Sequence, residues 1–213
     1  MSSKKKRLKD FRLCVVVNRP FFKDKQALVR AAKKIALSGG QMIQLRDKSS
    51  SKKDILQTAL ELKQGLPGTK SIFIVNDHVD IARLVDADGV HLGQSDLPLS
   101  AARKLLGKDK IIGVSCLSLK QALEAQKQGA DYLGVGPVFS TDTKPESAAL
   151  GLGKLKALKN KIKIPIFAIG GINETNILEV LSLGVHGVAI SSAICRAPDK
   201  VTATRRFFNI VNS

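Results

Sequence analysis

Two aspartates follow neighbouring apolar runs and could share a divalent cation. Asp77 comes shortly after residues 72–75, and Asp96 follows residues 89–92. If these runs are adjacent parallel strands, they lie about 5 Å apart, so both carboxylates can reach one ion. Magnesium is typically held by one or two carboxylates together with substrate phosphates and water. Asp77 and Asp96 therefore predict a Mg²⁺ site, although an aspartate in such a loop can also cap the next helix.

Two cations are placed to bind phosphate beside this pair. Arg46 and Lys48 follow residues 42–45 at alternating positions, so both side chains can turn toward one space. Arginine grips phosphate with a planar fork, and lysine supplies a compact charge. A pair of solvated loop cations is the alternative, but the nearby carboxylates favour a di- or triphosphate bridged by metal.

Three further loops carry groups that suit a second anion. The loop 140–144 (Ser-Thr-Asp-Thr-Lys) combines hydroxyl and ammonium donors. Gly170 and Gly171 allow close approach of the backbone, and Ser191 and Ser192 end another apolar run. Backbone N–H groups in such loops bind monophosphates. A polar surface loop and a tight strand-to-helix turn are the alternative interpretations.

These residues all follow short apolar runs, which predicts that a parallel sheet positions them. The runs are rich in Val and Ile and do not alternate strictly, as expected for strands buried on both faces. Between them lie helical segments opened by Ser51, Ser118 and Asn173. This pattern predicts an α/β fold, a (β/α)8 TIM barrel in a single compact domain, with a doubly wound open sheet as the alternative. The runs are residues 13–17, 42–45, 72–75, 89–92, 111–114, 132–138, 164–169 and 187–190, and the last helix is expected over 200–211.

The net charge of the protein narrows the classes of molecule that it could bind. The 213 residues include 35 Lys and Arg against 18 Asp and Glu, a net charge of +17, and 44% are hydrophobic. Such a charge indicates nucleic acid, a membrane surface or phosphorylated small molecules as partners. No apolar run approaches the ~20 residues that span a bilayer. The absence of Trp and the single Tyr weaken a stacking platform for nucleic acid, which is therefore disfavoured.

The N-terminal segment and the cysteines indicate how the chain is organised and in which compartment the protein lies. We expect residues 1–10 to be a basic, disordered N-terminal tail and residues 11–213 to be the catalytic barrel. Cys14, Cys116 and Cys195 are widely spaced and form no disulfide framework, which favours a reducing, cytoplasmic setting.

Seven ordered motifs resemble those of the thiamine-phosphate synthase family. They cover nearly the whole chain from Leu13 onward. Seven motifs in this order are a specific signal for the family, whereas any one motif alone is a weak signal. The motifs are QLRDK at 44–48, VND at 75–77, GVHLGQSD at 89–96, IGVS at 112–115, GVGPVF at 134–139 with TDTKP at 141–145, AIGGI at 168–172 and SAI at 192–194.

The resemblance implies a magnesium-dependent transferase. It would join hydroxymethylpyrimidine pyrophosphate to thiazole phosphate and give thiamine phosphate and pyrophosphate. In the family the pyrophosphate leaves first, and the thiazole nitrogen captures the remaining pyrimidine cation. Family members are commonly dimers, so a homodimer is possible.

The matching motifs also imply roles for individual residues. Asp77 and Asp96 would bind Mg²⁺. The catalytic residues would be Arg46, Lys48, Ser115 and Lys144, the cations stabilising negative charge on the leaving pyrophosphate. The pyrimidine pyrophosphate would be held by Gln44, Leu45, Arg46, Asp47, Lys48, Asn76, Ser115 and Lys144. The loops that would hold the thiazole phosphate contain Thr141, Asp142, Thr143, Gly171, Ser191 and Ser192.

Some positions depart from the family pattern or remain outside it. Asp47 stands where glutamate is usual, and Ser191 replaces an aliphatic residue. Leu117 stands where the related thiazole tautomerases have histidine, which favours the synthase. His91 is expected to be a satisfied core or rim histidine. A tautomerase acting on a thiazole carboxylate phosphate and a basic nucleic-acid-binding barrel remain the alternatives.

Overall fold

Parallel strands form a closed barrel in the computed structural model, which describes residues 8–66, 68–141 and 148–213. Eight strands follow one another in sequence order around it, and β1 (Leu13–Asn18) closes the ring by pairing with β8 (Gly187–Ile190). The predicted TIM barrel is confirmed, and the open doubly wound sheet is wrong because an open sheet would leave these two strands unpaired.

The elements alternate along the chain. The remaining strands are β2 (Met42–Arg46), β3 (Ile72–Asn76), β4 (Gly89–Leu92), β5 (Ile111–Cys116), β6 (Tyr132–Val135) and β7 (Ile166–Ile169). The α-helices are α1 (Lys25–Leu37), α2 (Lys52–Gly65), α3 (Val79–Leu84), α4 (Leu99–Leu106), α5 (Leu119–Lys127), α6 (Leu152–Lys161), α7 (Ile177–Ser182), α8 (Ser192–Cys195) and α9 (Lys200–Asn212).

Two predicted helix starts are confirmed by their caps. The Ser51 hydroxyl oxygen accepts a hydrogen bond from the Asp54 N–H at the start of α2. The Ser118 side chain accepts one from the Gln121 N–H at the start of α5. Each bond satisfies an N–H group that has no partner within its own helix.

Two predicted boundaries are wrong by three residues. Strand β6 ends at Val135 rather than at residue 138, because Pro137 has no N–H to donate to the neighbouring strand. Helix α7 begins at Ile177 and not just after Asn173. The Asn173 carboxamide oxygen instead accepts hydrogen bonds from the N–H and hydroxyl of Thr175, which makes a turn before the helix.

The core has an outer layer between strands and helices and an inner layer inside the barrel. Leu8 and Phe11 are buried in the inner layer, packed with Met42 and Ile111, which lie at the starts of their strands. Leu8 thus packs on the barrel although the sequence prediction placed it in the tail; residues 1–7 lie outside the described residues. Among the described helices, none is long and apolar enough to cross a membrane.

Candidate active site

A cavity of about 430 Å³ lies at the carboxyl ends of the strands, the end at which TIM barrels bind substrates. Its polar wall surrounds an apolar floor that includes Phe167 and Ile169. Most of the residues predicted from the sequence meet here. They are Gln44, Arg46, Lys48, Asn76, Asp96, Ser115, Thr141, Gly171, Ser191 and Ser192.

The two remaining residues of the QLRDK motif do not line the cavity. Leu45 is buried in the outer layer, because side chains alternate along β2 while Gln44 and Arg46 face inward. Asp47 is also buried and is absent from the cavity wall.

Asp47 shapes the turn that follows β2. Its Oδ1 atom accepts hydrogen bonds from the N–H groups of Ser49 and Ser50, both at 3.0 Å. Burial acts to raise the pKa of Asp47, but hydrogen bonds from Ser50 and Ser49 outweigh it and lower the pKa. In the structure this carboxylate therefore organises the backbone between Arg46 and the next helix.

Asp77 and Asp96 form a carboxyl pair at the ends of β3 and β4. Asp77 has a positive φ of 64°, and its N–H donates to the His91 carbonyl oxygen at 2.8 Å. The Asp96 carboxylate accepts a hydrogen bond from the Gly93 N–H at 2.6 Å. Asp96 lines the cavity, and Asp77 lies close enough to it that each carboxyl group shifts the pKa of the other. These contacts fix both side chains over one space.

Each member of the pair changes the proton affinity of the other. Burial and the neighbouring Asp96 carboxyl raise the pKa of Asp77. Burial also acts to raise the pKa of Asp96, but the neighbouring Asp77 and the hydrogen bond from the Gly93 N–H lower it. Such opposite shifts are expected where two acids crowd one site and share a proton.

This pair fits a hard divalent cation. Carboxylate oxygens are the ligands that Mg²⁺ prefers, and two carboxylates with substrate phosphates and water are a usual set. In the described parts of the chain, no group of three or more His, Cys, Asp and Glu side chains could hold a metal. A cation held by Asp77 and Asp96 would therefore complete its coordination with oxygens from substrate and water.

The two predicted cations both line the cavity, and Lys48 contacts the acid pair. Lys48 Nζ lies 3.1 Å from Asp77 Oδ2, with 55% of the lysine side chain exposed. Arg46 Nη1 donates to Asn18 Oδ1 at 2.9 Å. Asn18 is a buried polar residue at the end of β1, and the sequence analysis did not identify it. Its role is to orient the Arg46 guanidinium at the cavity mouth.

The second anion region is described only in part. Thr141 lines the cavity, whereas Asp142, Thr143 and Lys144 lie outside the described residues, and their roles stay predictions. On the other wall, the Ser191 hydroxyl donates to the Val16 carbonyl oxygen at 2.7 Å, which ties this loop to β1.

Gly171 is a residue of this region that tolerates no side chain without strain. Its φ is +67°, and a Cβ there would lie 2.6 Å from Phe139 Cβ. We expect Gly171→Ala to lower the free energy of unfolding by more than about 1 kcal/mol, measured by urea denaturation. Gly153→Ala in α6 is the matched control, because its Cβ would meet open space. Equal stability of the two variants would contradict the tight packing of this loop.

Two aromatic residues of the cavity wall are His91 and Tyr132. His91 is buried and hydrogen-bonded through both ring nitrogens, as predicted, and it also faces the cavity. Tyr132 was not singled out from the sequence. The alternation Gly-Val-His-Leu in β4 could have placed His91 inside the barrel, since Val90 and Leu92 face the helices.

The cysteines offer no nucleophile. Cys14, Cys116 and Cys195 are free and buried. Burial raises the pKa of each thiol to about 12, so the reactive thiolate is scarce near neutral pH. The cavity is therefore suited to chemistry that uses cations and hydrogen-bond donors, not covalent attack by sulfur.

Comparison with known proteins identifies the family. The family model described as thiamine monophosphate synthase matches residues 13–194, which is most of the chain. The chain belongs to the thiamine monophosphate synthase family.

Individual members of this family resemble the chain over nearly its full length. Thiamine-phosphate synthase from Clostridium acetobutylicum is 45% identical over 202 residues, covering 95% of both chains. The enzyme of that name from Chloroflexus aurantiacus is 43% identical, covering 95% of this chain and 94% of its own. The solved structure of thiamine phosphate pyrophosphorylase from Pyrococcus furiosus superposes with a TM-score of 0.86 and 38% identity, covering 96% of this chain and 98% of its own.

Proposed function

We propose that the cavity joins hydroxymethylpyrimidine pyrophosphate to thiazole phosphate and releases thiamine phosphate and pyrophosphate. The observation that carries this proposal is the arrangement at one cavity mouth. Lys48 stands beside the carboxyl pair, Arg46 lines the same cavity, and the loops after β7 and β8 also face it. One region suits a pyrophosphate with its metal, and the other suits a monophosphate. Membership in the thiamine monophosphate synthase family supports the same reaction.

The transferase reaction moves one electron pair at a time. The bond between the pyrimidine methylene carbon and the pyrophosphate oxygen breaks, and its electron pair stays on that oxygen. The thiazole nitrogen then gives its lone pair to the methylene carbon and forms the new C–N bond. Arg46 and Lys48 would stabilise the charge that develops on pyrophosphate, since such pre-positioned groups act most strongly on developing charge. Lys144 would add a third cation.

Asp77 and Asp96 would hold the Mg²⁺ ion of this site. The bound ion would supply positive charge that neutralises the pyrophosphate oxygens. Asp77 also holds Lys48 at 3.1 Å, so the lysine ammonium stays at the same edge of the cavity. The two carboxyl groups therefore place both kinds of positive charge where the leaving group would lie.

The apolar floor of the cavity suits a reaction through a carbocation. Phe167, Ile169 and Ala189 form part of that floor. Apolar walls exclude water, which would otherwise capture the pyrimidine cation in place of the thiazole nitrogen. Leu117 also lines the cavity and has no group that could move a proton, so no observation favours the tautomerase.

A product assay tests this proposal. The purified chain is incubated with both substrates and Mg²⁺, and thiamine phosphate is measured by chromatography. We expect product only when both substrates are present. Folded protein that forms none would overturn the proposal, and turnover of a thiazole carboxylate phosphate alone would indicate the tautomerase. The homodimer and the cytoplasmic location stay predictions.

A further inference from the structure

Three polar side chains form a continuous hydrogen-bonded series along the cavity wall. His91 Nε2 lies 2.8 Å from Ser115 Oγ, and His91 Nδ1 lies 3.0 Å from the Tyr132 hydroxyl oxygen. Gln44 lies beside Tyr132, and this amide acts to lower the pKa of the tyrosine. All four residues line the cavity, so the series links the interior of the barrel to Ser115.

The barrel interior is shaped to hold the two rings in place. A Cβ on Gly113 would overlap the Tyr132 ring, and a Cβ on Gly134 would lie 2.9 Å from the His91 ring. The ring centroids are 5.4 Å apart, and both residues are buried. A glycine on β5 and another on β6 thus provide the space that the two rings fill. Close packing of this kind keeps the hydrogen-bonding partners fixed.

Proton positions give the series a direction. Burial holds the pKa of Tyr132 well above its usual range, so the hydroxyl keeps its one proton. A neutral imidazole has one donor and one acceptor nitrogen. In one direction of the series, the Tyr132 hydroxyl donates its proton to His91 Nδ1. His91 Nε2 then donates to Ser115 Oγ, and the Ser115 proton can point into the cavity.

The opposite direction would make Ser115 donate to His91 and present only lone pairs to a substrate. A leaving pyrophosphate accumulates negative charge and needs hydrogen-bond donors. We propose that Tyr132 and His91 are positioning residues that direct the Ser115 hydroxyl proton toward the leaving pyrophosphate. This inference rests on the proposed function, because it assigns the residues a role in that reaction.

The tautomer of His91 tests the direction without any activity. The chain has three histidines, so a ¹⁵N NMR spectrum of the labelled protein is simple, and His91→Gln assigns the signal. We expect His91 to carry its proton on Nε2 in the unaltered chain and to become a mixture of tautomers in Tyr132→Phe. A proton on Nδ1 in the unaltered chain would overturn the proposal, whether or not the chain makes thiamine phosphate.

A double-variant comparison tests whether Tyr132 acts through Ser115. Single-turnover rates with saturating substrates should fall about 100-fold in Ser115→Ala and about fivefold in Tyr132→Phe. The steady-state KM of Tyr132→Phe should change little. The variant with both changes should equal Ser115→Ala, since the proton that Tyr132 directs is already gone. A further fivefold loss, or a normal rate in Ser115→Ala, would overturn the proposal.

Thr58→Val is the matched control for these variants. Thr58 is buried, and its hydroxyl donates to the Asp54 carbonyl oxygen within α2, away from the cavity. The change deletes a buried hydroxyl, as Tyr132→Phe does, and should leave the single-turnover rate unchanged. If the unaltered chain forms no thiamine phosphate, the proposed function fails, while the tautomer of His91 still decides the direction of the series.

Discussion

Asp77→Asn should lower kcat/KM by about 10³-fold while leaving the fold intact. Asparagine tolerates the positive φ of 64° at this position, so the backbone is retained. The change removes one of the two predicted metal ligands and the carboxylate that holds Lys48. A bound metal contributes several kcal/mol of charge stabilisation, which corresponds to a loss of this size. Steady-state kinetics with both substrates measures the effect.

A second readout separates metal binding from activity. Mn²⁺ replaces Mg²⁺ in the presence of pyrophosphate, and its binding is followed by electron paramagnetic resonance. We expect at least about tenfold weaker binding in Asp77→Asn. The control is Asp80→Asn, which removes an exposed partner of Lys52 in a surface ion pair. Unchanged Mn²⁺ binding in Asp77→Asn would refute the metal assignment.

Arg46→Met should reduce kcat by about 10²- to 10³-fold, the cost of removing one pre-positioned donor to a developing charge. Methionine is unbranched and apolar, so the change removes the guanidinium while keeping much of the side-chain bulk. The free energy of unfolding should also fall by about 1 kcal/mol, because Asn18 Oδ1 loses the hydrogen bond that it accepts from Arg46 Nη1 at 2.9 Å. Kinetics and urea denaturation measure the two effects separately.

Two further variants serve as controls for the kinetics of Arg46→Met. Arg46→Lys restores the positive charge but not the planar guanidinium, so it should recover only part of the rate. Arg83→Met makes the same substitution on an exposed arginine at the end of α3 and should leave activity within about twofold. A normal kcat in Arg46→Met would show that this guanidinium does not stabilise the leaving group.

The barrel was predictable because its signals are repeated and local. Each apolar run is short and rich in β-branched residues, and Ser51 and Ser118 mark helix starts by a mechanism that acts within three residues. The boundary at Asn173 failed because the same side chain can cap a helix or close a turn, and here Thr175 provides the partners for the turn.

The site was predictable where strand ends carry polar groups. Gln44, Arg46 and Lys48 meet in the cavity because alternate residues face the same side. The same alternation turns Leu45 outward, although the family resemblance grouped it with the binding residues.

Tyr132 could not be singled out from the sequence. Both faces of β6 are buried, so periodicity does not show which residue points inward. Its hydrogen bond to His91 joins strands that are distant in the sequence, and no local pattern signals such a contact.

The stoichiometry of the products tests the central claim most directly. Purified full-length protein is mixed with hydroxymethylpyrimidine pyrophosphate, thiazole phosphate and Mg²⁺, and the reaction is followed by ³¹P NMR. The proposed function predicts one thiamine phosphate and one pyrophosphate for each pyrimidine substrate consumed, and no thiamine phosphate when either substrate is left out. Folded protein that consumes neither substrate, or that releases pyrophosphate without forming thiamine phosphate, would contradict it.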